Sequence, residues 1–258
     1  MADDSADRDL IAQAARDAGR LALAFKARGL TAWEKSKGDP VSEADLAADN
    51  LLKERLRPAR RDYGWLSEET TDDRSRIDAA RSFVVDPIDG TRAFIKGRPE
   101  FVVSVAVIEA GAPVAAALFD PSTDRLWDAV RGRGARLNGA PIRVSGHKQI
   151  RGARILGDPG RLPTLRALGA EASTVNSAAL RLALAAQGAY DAVVAERAKW
   201  DWDLAAGALI FTEAGGVITS RKGDALVFNG EPPRQPAPLA AGPALHALLR
   251  ERLNQGDT

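Results

Sequence analysis

Four short acidic motifs carry the chemistry of this sequence. The first is Asp86-Pro87-Ile88-Asp89-Gly90-Thr91, directly after the apolar run Phe83-Val84-Val85. A rigid proline stands between the two carboxylates, and a glycine then permits a tight turn. Both carboxylates, with the Ile88 carbonyl between them, can face one point at the end of a buried strand. Thr91 and the N–H groups after it can open a helix whose positive end attracts phosphate. An ordinary Asp-Gly turn is the plainer alternative. The second motif is Lys199-Trp200-Asp201-Trp202-Asp203-Leu204-Ala205-Ala206-Gly207. Asp203 stands where a helix N-cap belongs, so capping alone would account for it. A carboxylate at a helix start is equally well placed to complete a metal site. The third motif is Trp65-Leu66-Ser67-Glu68-Glu69, an acidic pair that by itself reads as a strand end. The fourth runs from Lys35 through Asp39 and Ser42 to Asp45, where Asp45 alone would be a first-turn acid favoured by the helix dipole.

Composition says which chemistry these acids can serve. The 258 residues include no cysteine and two histidines, His147 and His246. Disulfides, thiolate nucleophiles and Cys- or His-rich metal sites are excluded. With 35 Asp and Glu, oxygen ligands dominate, and these suit hard cations such as Mg²⁺. A serine hydrolase would have to use Ser145-Gly146-His147 or His246, and no nucleophile-elbow pattern is present. His147 reads as an exposed turn residue and His246 as a surface or interface residue. The formal net charge of +1 gives no footprint for nucleic acid or a membrane surface. The acidic N-terminus lacks the apolar core of a signal peptide, so a cytoplasmic protein is expected.

The elements that must position the acids follow from periodicity. Residues 8–28 carry an amphipathic helical pattern that ends near Gly29. Residues 35–40 read as a polar loop, and Ser42 starts a second helix. Ser82–Asp86 reads as a buried strand. The apolar stretch Phe101–Phe119 is broken by Glu109, Gly111 and Pro113, and so reads as a hairpin rather than a membrane span. Leu126–Val130 and Ala135–Leu137 are further strands, with an Asn138-Gly139 turn. In the second half, helices at 162–168, 178–187, 204–214 and 244–253 alternate with strands at 153–156, 190–195 and 239–241. The proline-rich stretch 231–238 reads as a surface loop. Two α+β subdomains, 1–145 with the metal site and 146–258 completing it, are expected to pack as one layered unit.

Together the motifs resemble the inositol monophosphatase superfamily of Mg²⁺-dependent phosphatases. The resemblance rests on Asp86–Thr91 paired with Trp202–Gly207. Glu213-Ala214-Gly215-Gly216, Glu68-Glu69, the hairpin Gly132–Ser145 and the segment Ser177–Ala183 support it. The resemblance implies a layered α-β-α-β-α sandwich, a homodimer and two or three Mg²⁺ per subunit. One metal would take Glu68, Asp86 and the Ile88 carbonyl. A second would take Asp86, Asp89 and Asp203, and a third, weaker one would lean on Glu68 and be the point of Li⁺ sensitivity. Asp45 and Thr91 would orient the attacking water, with Glu68 also in the catalytic set. Gly90 and Thr91 would cradle the phosphate, and Ser177, Glu196 and Asp203 would contact the substrate.

The substrate implied is a small phosphorylated metabolite. Glu196, seven residues before Asp203, fits a polyol reader, which favours inositol monophosphate. The basic segment Arg92–Arg98 fits a 3′(2′),5′-bisphosphate nucleotide instead. Histidinol phosphate and fructose 1,6-bisphosphate are further options within the superfamily. Trp200 and Trp202 offer stacking for a base, Asp201 has no assigned role, and Asn176 stands where many relatives carry glycine. Some superfamily members also bind transcription complexes, which is the non-enzymatic alternative.

Overall fold

Helix α1 (Asp4–Arg28) opens on Asp3, whose carboxylate accepts the Ser5 N–H at 2.9 Å. The computed structural model describes residues 3–255. The buried stripe of α1, including Ile11, Ala14, Ala18 and Ala22, has the period of a helix laid on a core. Residues 35–40, expected as a polar loop, instead join a hairpin of β1 (Ala32–Ser36) and β2 (Asp39–Ser42). β1 is exposed along its whole length, so no apolar alternation marks it in the sequence. Helix α2 (Glu43–Ala59) begins after Ser42 as expected, and Asp45 reaches back to accept the Ser42 N–H at 2.9 Å.

The chain then forms β3 (Gly64–Ser67), β4 (Arg81–Asp89) and the short α3 (Thr91–Ile95). The strands β5 (Val102–Glu109), β6 (Ala112–Asp120), β7 (Arg125–Val130), β8 (Ala135–Leu137) and β9 (Ala140–Pro141) follow. β3 to β9 make one seven-stranded sheet in chain order. Only its β3–β4 pair is parallel. The expected hairpin is β5–β6, turned by Ala110 and Gly111 at φ 49° and 77°. Among the described residues no helix is long and apolar enough to cross a membrane.

The second half runs β10 (Arg154–Leu156), α4 (Pro163–Ala167), β11 (Glu171–Ser173), α5 (Ala178–Ala186) and β12 (Ala192–Val194). It continues with β13 (Lys199–Trp200), α6 (Asp201–Glu213), β14 (Val217–Ser220), β15 (Arg234–Gln235), β16 (Pro238–Ala241) and α7 (Pro243–Gln255). The second sheet has the order β11-β10-β12-β16-β14. The expected loop at 231–238 contains β15, which pairs antiparallel with β13.

Three apolar clusters stack these elements. α1 and α2 cover one face of the large sheet, against Phe83, Val85 and Phe119. Helices α5 and α6 fill the space between the sheets, joining Val84, Leu118 and Trp127 to Leu156, Val193 and Ala240. Leu165 of α4 and Leu245 and Leu249 of α7 cover the far side of the small sheet. The result is the five-layer α-β-α-β-α sandwich of the expected α+β class. Two readings are corrected. α6 starts three residues before Leu204, because it is apolar on all sides and gives no periodic start signal. His246 is buried rather than at the surface, with Nε2 3.0 Å from the Thr219 hydroxyl.

Candidate active site

All nine residues of β4 are buried, and its pairing with β5 slips between Asp86 and Asp89, where Pro87 interrupts the ladder. There the Ile88 N–H donates to Asp86 Oδ1 at 3.0 Å. Gly90 then takes φ 111°, and a Cβ on it would lie 2.5 Å from the Glu100 carbonyl oxygen. Only glycine fits that approach. The turn delivers Thr91 as the first residue of α3.

Carboxylate oxygens of Asp86, Asp89 and Asp203 lie within 4.8 Å of one another. Asp203 arrives from the first turn of α6, as the third helical residue rather than the N-cap, and accepts the Trp200 N–H at 3.1 Å. Asp89 Oδ2 accepts from the Ser177 hydroxyl and from the Ala179 N–H, both at 2.6 Å. The start of α5 thus fixes one oxygen of Asp89. Glu68 follows β3, anchored by its N–H on the Val85 carbonyl at 3.2 Å. One cleft is lined by Glu68, Asp86, Ile88, Asp89, Gly90, Thr91 and Asp203, together with Asp39, Asn176, Arg92 and Lys199. The Thr91 hydroxyl lies 3.1 Å from Asp45 Oδ1 and 3.0 Å from the Ile88 carbonyl. Asp45 is buried and also accepts from the Ser42 hydroxyl at 2.5 Å.

Burial and crowding set the electrostatics. Burial, partly offset by Lys35, pushes the Glu68 carboxyl up to about 8. Burial lifts Asp203 to about 6 against the pull of Lys199. Asp86 and Asp89 are raised as well, by burial first; in Asp86 the facing acids add to it. Burial also raises Asp45. Four crowded acids, Asp86 and Asp89 buried and Glu68 and Asp203 half-buried, with no cysteine or histidine among them, fit a hard divalent cation, which would relieve both desolvation and repulsion. Asp86, Asp89 and Asp203 form the cluster best placed to hold it, with Glu68 beside them.

Several expected residues fall elsewhere. Ser177 is fully buried behind Asp89, so it orients that carboxylate rather than meeting a substrate. Glu196 lines a separate cavity with Arg161 and Thr164. Its Oε2 accepts from Arg221 at 3.1 Å, and its buried Oε1 has no hydrogen-bond partner. Of the basic segment, Arg92 lines the cleft and reaches the Gly38 carbonyl, whereas Lys96 and Arg98 are exposed away from it. Trp200 and Trp202 stack on each other at 5.1 Å and 11°, and Arg234 lies over Trp200, so these faces are already engaged. Sequence reasoning gave no role to Lys35, 2.8 Å from Glu69 and 3.5 Å from Glu68, or to Lys199, 3.9 Å from Asp203. Single lysines carry no spacing signal; only the fold brings them to the acids.

Comparison with known proteins agrees with this geometry. The model of the inositol monophosphatase family matches residues 5–257. An inositol-1-monophosphatase of Rhizobium meliloti is 38% identical, over 85% of this chain and 87% of that protein. A Nus factor SuhB of Xylella fastidiosa is 35% identical, over 96% of this chain and 94% of its own length. The crystal structure of the extragenic suppressor protein SuhB from Bartonella henselae superposes with a TM-score of 0.86 at 31% identity, covering 97% of this chain and 99% of that one. The carboxylate cluster on β4 and α6, the five layers and these matches place one conclusion on the chain as a whole: it belongs to the inositol monophosphatase family.

Proposed function

We propose that this phosphomonoesterase uses Mg²⁺, two or three ions per subunit, to hydrolyse a small phosphorylated metabolite, inositol monophosphate first among them. The observation that carries the reading is the cluster of Asp86, Asp89 and Asp203, with Glu68 in the same cleft, beside the buried Asp45 and its partner Thr91. Asp86, Asp89, Asp203, Glu68 and the Ile88 carbonyl would hold the ions. Bound there, the cations offset the charge of the phosphate dianion, which otherwise repels an incoming nucleophile. Asp45 accepts a hydrogen bond from the Thr91 hydroxyl, which leaves the Thr91 oxygen free to accept a hydrogen bond from the attacking water and orient it. Ser42 holds Asp45 in place for that task. The N–H groups of Gly90 and Thr91 are assigned to the phosphate oxygens. Li⁺ inhibition, a homodimer and a cytoplasmic location belong to the same proposal.

The inositol reading draws on relatives named inositol-1-monophosphatase. Arg92 and Lys199 in the cleft favour a second reading, a substrate with two phosphates such as a 3′(2′),5′-bisphosphate nucleotide. Relatives named Nus factor support a role in a transcription complex alongside catalysis. The test is phosphate release from inositol 1-phosphate and adenosine 3′,5′-bisphosphate, with and without Mg²⁺ and Li⁺. Mg²⁺-dependent release, inhibited by Li⁺ and lost by orders of magnitude in a folded Asp89→Asn variant, is expected. Near-normal turnover in that variant would overturn the assignment. Preference for the nucleotide over inositol 1-phosphate would replace the inositol reading with the second.

A further inference from the structure

Asp201 is a fully buried acid that does not line the cleft. Its Oδ2 accepts the Asn229 N–H at 2.6 Å, and its Oδ1 accepts from Gln235 Nε2 at 2.7 Å. Its own N–H donates to the Pro233 carbonyl at 3.0 Å. The loop 229–235 is therefore clipped to the first residue of α6, two residues before Asp203.

The same loop is clipped on its other side by Arg76, also fully buried. Arg76 Nη1 donates to the carbonyl and side-chain oxygens of Asn229, both at 2.9 Å, and Nη2 donates to the Gly230 carbonyl at 3.1 Å. Arg76 lies in the crossover between β3 and β4, where its carbonyl accepts the Ser82 hydroxyl at 3.1 Å. Its backbone packs so tightly on β3 that a Cβ on Gly64 would lie 2.6 Å from the Arg76 Cα. That crossover has Glu68 at one end and leads into Asp86 and Asp89 at the other.

We propose that Asp201 and Arg76, through Asn229, form a buried polar clasp that fixes the distance between the acids of β3–β4 and Asp203 of α6. The inference rests on the reading of those acids as one metal site. Both residues act through others and are positioning residues. A buried guanidinium and a buried carboxylate are costly in isolation. Arg76 meets its charge locally on Asp72, 2.8 Å from Nη2, while its remaining donors and both oxygens of Asp201 reach the distant segment 229–235, as a rigid tie requires. Carboxylate ligands that drift relative to one another lose cation affinity, and supporting partners of a metal site typically contribute 10–100-fold to it.

The experiment measures Mn²⁺ binding to the full chain by calorimetry and by electron paramagnetic resonance, for Asp201→Asn, Gln235→Met and Asp203→Asn. Asp128→Asn serves as a control, because Asp128 is buried against Arg8 and Arg136 in another network. The clasp predicts about tenfold weaker Mn²⁺ binding in Asp201→Asn and a smaller loss in Gln235→Met. It predicts an unchanged affinity in Asp128→Asn even where its melting temperature falls. In turnover assays the Mg²⁺ concentration for half-activation rises in the clasp variants while KM at saturating Mg²⁺ stays within about twofold. If Asp201→Asn does not fold, Gln235→Met decides. Wild-type Mn²⁺ affinity in the folded clasp variants, with Asp203→Asn impaired, overturns the clasp alone. Wild-type affinity in Asp203→Asn overturns the metal-site reading and the clasp with it.

Discussion

The Ser177 hydroxyl donates to Asp89 Oδ2 at 2.6 Å and accepts the Leu180 N–H at 3.0 Å, so one buried oxygen both caps α5 and aims a carboxylate of the cluster. Removing it leaves Asp89 with the Ala179 N–H alone on that oxygen. Ser177→Ala is expected to raise the Mg²⁺ concentration for half-maximal turnover by about tenfold and to destabilise the protein by about 1 kcal/mol. Titration of phosphate release with Mg²⁺, beside a urea melt, measures both. An unchanged Mg²⁺ dependence would show that Asp89 needs no such aiming.

The raised carboxyls fix a stability–pH relation for the metal-free protein. A carboxyl whose folded pKa exceeds its unfolded one holds its proton more tightly when folded, so stability falls as pH rises between the two values. Burial places Glu68 near about 8 and Asp203 near about 6, above the ordinary carboxylate range. The melting temperature in chelator should therefore fall from about pH 5 toward about pH 8. Saturating Mg²⁺ should flatten that slope, and its binding near neutral pH should release protons. Calorimetry in buffers of different ionisation enthalpy counts them.

His246 works in the opposite direction. Burial lowers its pKa below the free value of 6.5. A base depressed on folding contributes stability that is present above its unfolded pKa and is lost as pH falls through the folded one. His246→Gln keeps an amide able to meet the Thr219 hydroxyl and removes the titration. In saturating Mg²⁺, which flattens the carboxylate slope, the drop in melting temperature on going from about pH 7.5 to about pH 5.5 is expected to be smaller in the variant than in the parent. An identical drop would mean that His246 does not contribute to acid sensitivity.

Gly90→Ala sets a Cβ against the Glu100 carbonyl at a residue already in the left-handed region. The cost is expected at about 1–3 kcal/mol, with turnover falling further than stability because Thr91 shifts with the turn. Thermal unfolding and phosphate release, run together, separate the two effects.

Much of this architecture was legible in the residue pattern, and the failures have particular causes. The Phe101–Phe119 hairpin is readable because Gly111 and Pro113 break an apolar run too long for one strand. Asp86, Asp89 and Asp203 are readable because their two motifs together resemble one family's, although each alone also fits a turn or a helix cap. The β1–β2 hairpin is invisible because β1 buries nothing, and the start of α6 because that helix is buried around most of its circumference from Leu204 to Phe211 and shows no apolar stripe. Ser177 is expected as a substrate contact, by resemblance, because its partner Asp89 lies in a different half of the chain. Asp201 could not be placed because Asn229 and Gln235 reach it only through the fold.

The distance along the chain between the acids has a kinetic consequence. Glu68 and Asp203 are separated by more than half of the 258 residues. Closing them into one cluster requires the large sheet and α6 to have docked already. A cation bound there would have little to grip in the folding transition state, so it would hasten folding little. It would act on the way out instead, holding the native protein chiefly by a slower rate of unfolding.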